Sequence, residues 1–359
     1  MKYILATDSF KGSLSSMEVE AEIAEVLTEK GADVVSLPMS DGGDGMLEAF
    51  TKALGGTIEP VYVHNQMMRR VDAAFGMTAD GTAIVEVAQA CGLELVKEDE
   101  RNPMRATTYG VGELLSRAIK RGCRNFIIGL GGSGTSDAGI GMLKALVDIF
   151  AKGKTFDDAM KTELGECRFT LACDVDNPLC GENGAAYVYA PQKGATPQMV
   201  EQLDRRAKLF AEKSALHYGY DRSCCPGAGA AGGLGYAFMQ YLGAEMRSGA
   251  DMLLSLCRFD DVAKDADMII TGEGHADRQT LMGKLPQKVL QRGQQMDVPV
   301  GLVAGRVDSK EQLLEAGFRF AESVTPDGMS TAEAMKKEVA QANLRRWADF
   351  HHHHELFND

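Results

Sequence analysis

Asn125-Phe126-Ile127-Ile128 followed by Gly129-Leu130-Gly131-Gly132-Ser133-Gly134-Thr135-Ser136-Asp137 decides how this chain is read. The apolar run predicts a buried strand, and the spacing from Ala138 to Leu146 predicts a helix directly after the glycines. Strand, flexible turn and helix N-terminus together make a cradle for an anion. Glycine lets backbone N–H groups approach a ligand closely, and the helix end adds roughly half a positive charge. Phosphate is the anion such a turn serves best, so the expectation is an enzyme that handles a nucleotide.

Working outward, Tyr3–Ala6 reads as a strand, Ser16–Lys30 as an amphipathic helix, Val34–Leu37 as a strand and Gly45–Leu54 as a helix. This βαβα order opens a doubly wound sheet. Thr57–His64, Arg70–Met77 and Thr82–Val87 then read as an antiparallel meander that leads into a second domain. Helices are expected at Gly110–Lys120 and Gln198–His217, and strands at Arg168–Cys173 and Ala186–Tyr189. A second glycine-rich loop, Pro226–Gly233, leads into a helix ending at Leu242; it suits tight helix packing as well as phosphate approach. Strands follow at Met268–Thr271 and Val298–Ala304, and the tail returns to αβα at Ser309–Glu315, Phe318–Ser323 and Thr331–Ala348. The expected fold is α/β with two domains. A doubly wound, flavodoxin- or Rossmann-like parallel-sheet domain is built from residues 1–60 and 290–359. A mixed α/β domain over 61–289 is inserted into it and carries the phosphate loop, with the active site in the cleft between them.

The bulk numbers narrow the function. With 359 residues the chain exceeds what one core usually serves. A net charge of -13 argues against nucleic acid or an anionic membrane as partner, so an anionic substrate needs a local positive site. The eight cysteines form no C-x-x-C pair, and Cys224 and Cys225 are adjacent, which points to free thiols in a reducing cytosol. Met1-Lys2 leads into a strand pattern rather than a signal peptide, and no apolar run is long enough to span a bilayer. The His351–His354 tract reads as a solvated tail more readily than as a metal site.

Charged loops follow several of the expected strands, and in parallel sheets ligands bind beyond the carboxyl ends of strands. Thr7–Ser13 offers Asp8 to hold a metal or a hydroxyl, and Lys11 to neutralise phosphate or carboxylate; the plainer alternative is an Asp8 cap and a solvated Lys11. Ser40–Gly45 sets Asp41 and Asp44 among glycines, suited to a cation or to substrate hydroxyls, against a simple turn in which Asp44 caps a helix. Asp174 and Asp176 alternate with Val175 after a strand and would share a face if it continued, which suits Mg²⁺; the alternative is an Asx-turn before Pro178. Thr271–Thr280 brings Glu273 and Asp277 as base or metal ligands, with Lys284 as a phosphate partner, against a polar first turn for a helix from Pro286. His275 reads as structural or solvated. The Gly129 turn lacks the Gly-Lys-Ser/Thr ending of a Walker loop. It also lacks the acid that a dinucleotide fingerprint needs at the end of the next strand, Asp148 standing at that strand's start instead.

Taken together, these loops resemble the glycerate kinase family (the type-1 bacterial family that uses ATP). The matching segments are Asp8–Ser16, Asp41–Gly45, Gly129–Leu143, Cys173–Ala186, Ala190–Thr196, Pro226–Gly235 and Thr271–Pro286, in family order across nearly the whole chain. The family often carries Pro at Thr7, Glu at Asp44, Ala-Thr-Asn at Gly134-Thr135-Ser136, and Arg-Ile at His275-Ala276; the last of these changes removes a guanidinium. The resemblance implies phosphorylation of D-glycerate by ATP with Mg²⁺, 2-phosphoglycerate being favoured over the 3-phosphate. It implies Asp8, Lys11, Asp41, Asp44 and Asp277 as catalytic candidates, one aspartate accepting the substrate's hydroxyl proton. Ser9, Gly131, Gly132, Ser133, Thr135, Asp137, Glu273 and Lys284 become candidates for binding substrate or nucleotide, and Asp174 or Asp176 for binding the metal. Partners are glycerate and ATP, with no nucleic acid or membrane; a homodimer is left open. The competing readings are a dinucleotide-dependent oxidoreductase acting on a small hydroxy acid, and a non-catalytic binding protein that closes on a hinge.

Overall fold

The computed structural model describes residues 1–40, 42–43 and 45–353, apart from the side chains of 351–353. Its strands are β1 (Lys2–Thr7), β2 (Asp33–Ser36), β3 (Thr57–His64), β4 (Arg70–Met77), β5 (Thr82–Glu86), β6 (Asn125–Gly129), β7 (Arg168–Ala172), β8 (Glu245–Arg247), β9 (Met268–Ala276), β10 (Val300–Val307) and β11 (Ala321–Ser323). They divide between two compact units, Met1–Gly45 with Ala250–Asp359, and Met46–Gly249.

The first unit holds a parallel sheet of order β11-β10-β9-β1-β2. Counted within the unit, this is the flavodoxin-like doubly wound order, and its topological switch falls between β1 and β9. Tyr3, Leu5, Met268 and Ile270 pack against Val19 and Ile23 of the Ser16–Glu29 helix and against Leu344 and Trp347 of the Lys337–His353 helix. The first of these helices starts where expected because Ser15 and Glu18 form a reciprocal capping box.

The second unit holds a mixed sheet of order β3-β4-β5-β6-β7-β8, antiparallel through β5 and parallel from β5 to β8. Its core is aromatic and aliphatic: Phe126 and Phe169, cross-strand partners, stack at 4.9 Å, and Phe75, Val85, Ile128, Leu171 and Phe238 are sealed around them.

Several expectations need correction. The units divide at 45/46 and 249/250 rather than at 60/61 and 289/290. The Met46–Ala53 helix belongs with the second unit because Leu47 N–H bonds the Glu86 carboxylate at 3.1 Å and Thr51 lies against Gly76. Strand β9, placed in the inserted part by sequence, pairs with β1 and β10. Ala186–Tyr189 is part of a short helix, Ala185–Tyr189, and not a strand; so brief an apolar run carries no readable period. Asp148 lies inside the Ile140–Phe150 helix, and the expected Thr331–Ala348 helix is two, Thr331–Ala334 and Lys337–His353.

Candidate active site

In the first unit a cavity of about 750 Å³ opens at the carboxyl ends of β1, β9, β10 and β11. Asp8, Ser9, Lys11, Glu273, Asp277 and Lys284 all line it, so these candidates meet in one place. The turn after β1 is tight: Phe10 N–H donates to Leu14 O and Ser13 N–H to Phe10 O, both at 2.8 Å, with Gly12 at φ +74°. Gly274 of β9 allows that turn to lie close, since a Cβ there would stand 3.2 Å from Lys11 N. Asp8 N–H donates to Gly272 O at 2.9 Å, tying the turn to β9, and the Asp8 carboxylate accepts the Ser9 N–H at 2.8 Å. The Ser9 and Ser13 hydroxyl oxygens are sealed and have no hydrogen-bond partner among the described residues. A sealed hydroxyl without a partner in a native fold calls for an explanation, and a bound oxyanion supplies one.

On β9, Glu273 is buried and accepts the Thr280 hydroxyl at 2.6 Å, with Lys284 Nζ at 3.6 Å. Burial pushes its carboxyl above the ordinary range, against the pull of Thr280 and Lys284. Asp277 takes the plainer role: its carboxylate accepts Gln279 N–H at 2.7 Å and its N–H donates to Thr280 Oγ1 at 2.9 Å, a capping box for the short 3₁₀ turn Arg278–Leu281. His275 meets Asp308 at 2.9 Å, and Arg306 donates to the other oxygen of Asp308 at 3.1 Å. The His275 bond first, then Arg306, draws the Asp308 carboxyl below its usual range. Arg306 is the register partner of His275, so a guanidinium lines the cavity from the neighbouring strand. Sequence reading missed Arg306 and Asp308, although they stand at the carboxyl end of an apolar strand as the predicted loops do. Asp41 and Asp44 lie outside the described residues.

In the second unit the Gly129 turn follows β6 as expected, but the helix behind it begins at Ile140, after Ala138 at φ 54° and Gly139 at φ 74°. The chain's own Asp137 occupies that helix end. Its carboxylate accepts the N–H groups of Thr108, Gly139 and Gly141 at 2.8, 3.1 and 3.0 Å, together with the Thr108 hydroxyl. Burial raises its carboxyl against the pull of these donors. Gly132 is exposed, Ser133 is buried, and beneath the turn Lys193 is 2% exposed. Lys193 donates to Ser133 Oγ at 3.0 Å and to Thr135 O at 2.7 Å, and burial brings its ammonium down to about 8. Ser136 adds another sealed hydroxyl with no partner among the described residues. The Pro226–Gly233 loop proves to be a packing device: a Cβ on Gly232 would lie 2.0 Å from Thr135 O, and one on Gly233 2.7 Å from Ala138 Cα.

Asp174 and Asp176 are exposed in the segment after β7. The strand ends at Ala172, so the alternation that would have set them on one face does not apply. Asn177 beside them is engaged, accepting the Tyr189 hydroxyl and donating to Asn183 O. Among the described residues no group of three or more His, Cys, Asp or Glu is placed to hold a metal ion.

A family model, that of the glycerate kinase family, matches residues 3–350. The chain belongs to the glycerate kinase family. It is 37% identical to the glycerate kinase of Bacillus subtilis (strain 168), over 94% of this chain and 93% of that one. It is 39% identical to the glycerate 2-kinase of Escherichia coli (strain K12), over 85% of each. Among solved structures, one described as a glycerate kinase 2 from Salmonella typhimurium LT2 superposes with a TM-score of 0.78 at 35% identity, covering 98% of this chain and 96% of that one. The glycerate kinase family match spans both the cavity after β1 and the turn after β6.

Proposed function

We propose that this chain transfers the terminal phosphoryl group of ATP to glycerate, giving ADP and 2-phosphoglycerate. The observation that carries the reading, beside family membership, is the turn at the β1/β9 switch, where Lys11 and the unmet Ser9 and Ser13 hydroxyls border a cavity also lined by Asp8 and Asp277. A three-carbon dihydroxy acid has an anionic end and two hydroxyls, and this wall offers cation and hydroxyl donors for the first and carboxylate acceptors for the second. Phosphoryl transfer asks for alignment and charge stabilisation more than for covalent chemistry. Lys11 offsets charge on the moving phosphoryl group or on the glycerate carboxylate. Asp8, which lines the cavity with Lys11, accepts the hydroxyl proton; the loose transition state releases that proton late, so a positioned carboxylate suffices.

The nucleotide's phosphates are assigned to the Gly131-Gly132-Ser133 turn, with Thr135 shaping it from below. The unmet Ser136 hydroxyl in the same turn supports that assignment. Two exposed carboxylates suit Mg²⁺, which keeps several waters and takes one or two carboxylates beside phosphate oxygens. Asp174 and Asp176 would hold it, and there it would neutralise phosphate charge. The cysteines are all free thiols, which supports a cytoplasmic setting.

The test is ADP release by the purified chain over a panel of small hydroxy acids. Turnover with glycerate far above glycolate or lactate is expected. Oxidation of NAD(P)H without ATP would favour the oxidoreductase, and stabilisation by glycerate without turnover would favour a binding protein.

A further inference from the structure

The positive end of a helix was the expected source of attraction for phosphate after β6, and that end is closed by Asp137. The charge beneath the turn comes from Lys193. Its ammonium is sealed, uses one N–H on Ser133 Oγ and another on Thr135 O, and has no acceptor for the third among the described residues. Because Ser133 Oγ accepts from Lys193, its own proton must be donated elsewhere, and the described residues provide no acceptor for it. Ser136, in the same turn and nine-tenths buried, carries a hydroxyl with no partner among them. A buried cation with an unused N–H and unmet hydroxyl donors in one turn are costly unless an acceptor completes them.

We infer that Lys193 is a positioning residue of the nucleotide site: its sealed ammonium turns the Ser133 hydroxyl proton outward to a phosphate oxygen and supplies the positive charge that the occupied helix end does not. This rests on the reading of the Gly131–Ser133 turn as the place of the nucleotide's phosphates. Cys91 and Asp137 are the titratable groups that act on Lys193. Burial pushes the Cys91 thiol up to about 12, so it stays neutral while the lysine loses its proton near 8.

The experiment is calorimetric binding of a non-hydrolysable ATP analogue, and separately of glycerate, to the full chain and to Lys193→Met, Ser133→Ala and the double variant, with thermal melts alongside. Lys193→Met and Ser133→Ala should each weaken nucleotide binding about tenfold, the double variant no more than the worse single one, with glycerate affinity unchanged. Wild-type nucleotide affinity should fall as pH rises from about 7 to about 9, and Lys193→Met should abolish that dependence. If Ser133→Ala weakens the nucleotide and Lys193→Met only lowers the melting temperature, or if the two losses multiply, Lys193 is structural and the inference fails alone. If neither substitution changes nucleotide affinity, the assignment of phosphates to this turn fails with it. Should Lys193→Met not fold, a flat wild-type affinity across that pH range overturns the inference by itself.

Discussion

The turn after β1 and the turn after β6 each leave an interior parallel strand and lead toward a helix, yet they treat charge differently. After β1, Lys11 and two sealed, unmet hydroxyls border an open cavity, and the following helix is capped separately by Ser15. After β6, glycines are more abundant, but the helix end is filled by Asp137 and the cation lies underneath, on Lys193. Glycine content therefore marks where backbone comes close, not where a ligand sits. What marks a ligand is the set of polar groups that the chain leaves without partners.

The sharpest way to break this comparison is at Lys11. Lys11→Ala should lower kcat/KM for glycerate phosphorylation by about 10²-fold or more, read by steady-state ADP release. Near-normal kinetics would remove the turn after β1 from the reaction. The packing side of the comparison is tested at Gly232. Its φ is left-handed, and an added Cβ would stand only 2.0 Å from Thr135 O. Gly232→Ala should therefore cost about 3 kcal/mol in denaturant unfolding. An unchanged midpoint would mean that the second glycine loop is free to serve a ligand instead.

A smaller effect is expected at Asp174. Asp174→Asn should move the Mg²⁺ titration of activity to severalfold higher concentration, and an unmoved curve would take Asp174 out of the metal's reach. The smallest concerns Glu273, whose carboxyl is raised by burial in the folded state. A carboxyl with a raised folded pKa binds more protons folded than unfolded, so it lowers stability as pH rises through that window. Glu273→Gln should therefore melt slightly higher than wild type at pH 8, and the gap should close as the pH is lowered into the carboxyl range. A gap that widened on acidification would show that ionised Glu273 is favoured by Lys284 more than burial opposes it.

How much of this was legible in sequence follows from the range of the interactions involved. The strands β1, β6, β9 and β10 announce themselves by short apolar runs with polar residues at their carboxyl ends; the parallel-sheet rule anticipates that their loops converge, and Asp8, Lys11, Glu273 and Lys284 do line one cavity, within the first unit rather than across two domains. The Ala185–Tyr189 helix was missed because five residues carry no period, and β8 because three residues between a glycine turn and a helix show no pattern at all. Lys193 is a different case. Its segment, Ala190–Thr196, reads only as a family match with no role for the lysine, and only the fold of the second unit, bringing residue 193 under residues 133 and 135, makes it a sealed cation. Asp137 shows the converse: its place before a helix was readable, but the Thr108 bonds that make it the occupant of that helix end are long-range.

The most direct test is the proton-coupled ³¹P NMR spectrum of what the purified chain makes from ATP and glycerate. The account predicts a new phosphate ester whose phosphorus is split into a doublet by the single hydrogen on carbon two. A triplet from the two hydrogens of carbon three, or a growing signal of inorganic phosphate alone, would contradict it.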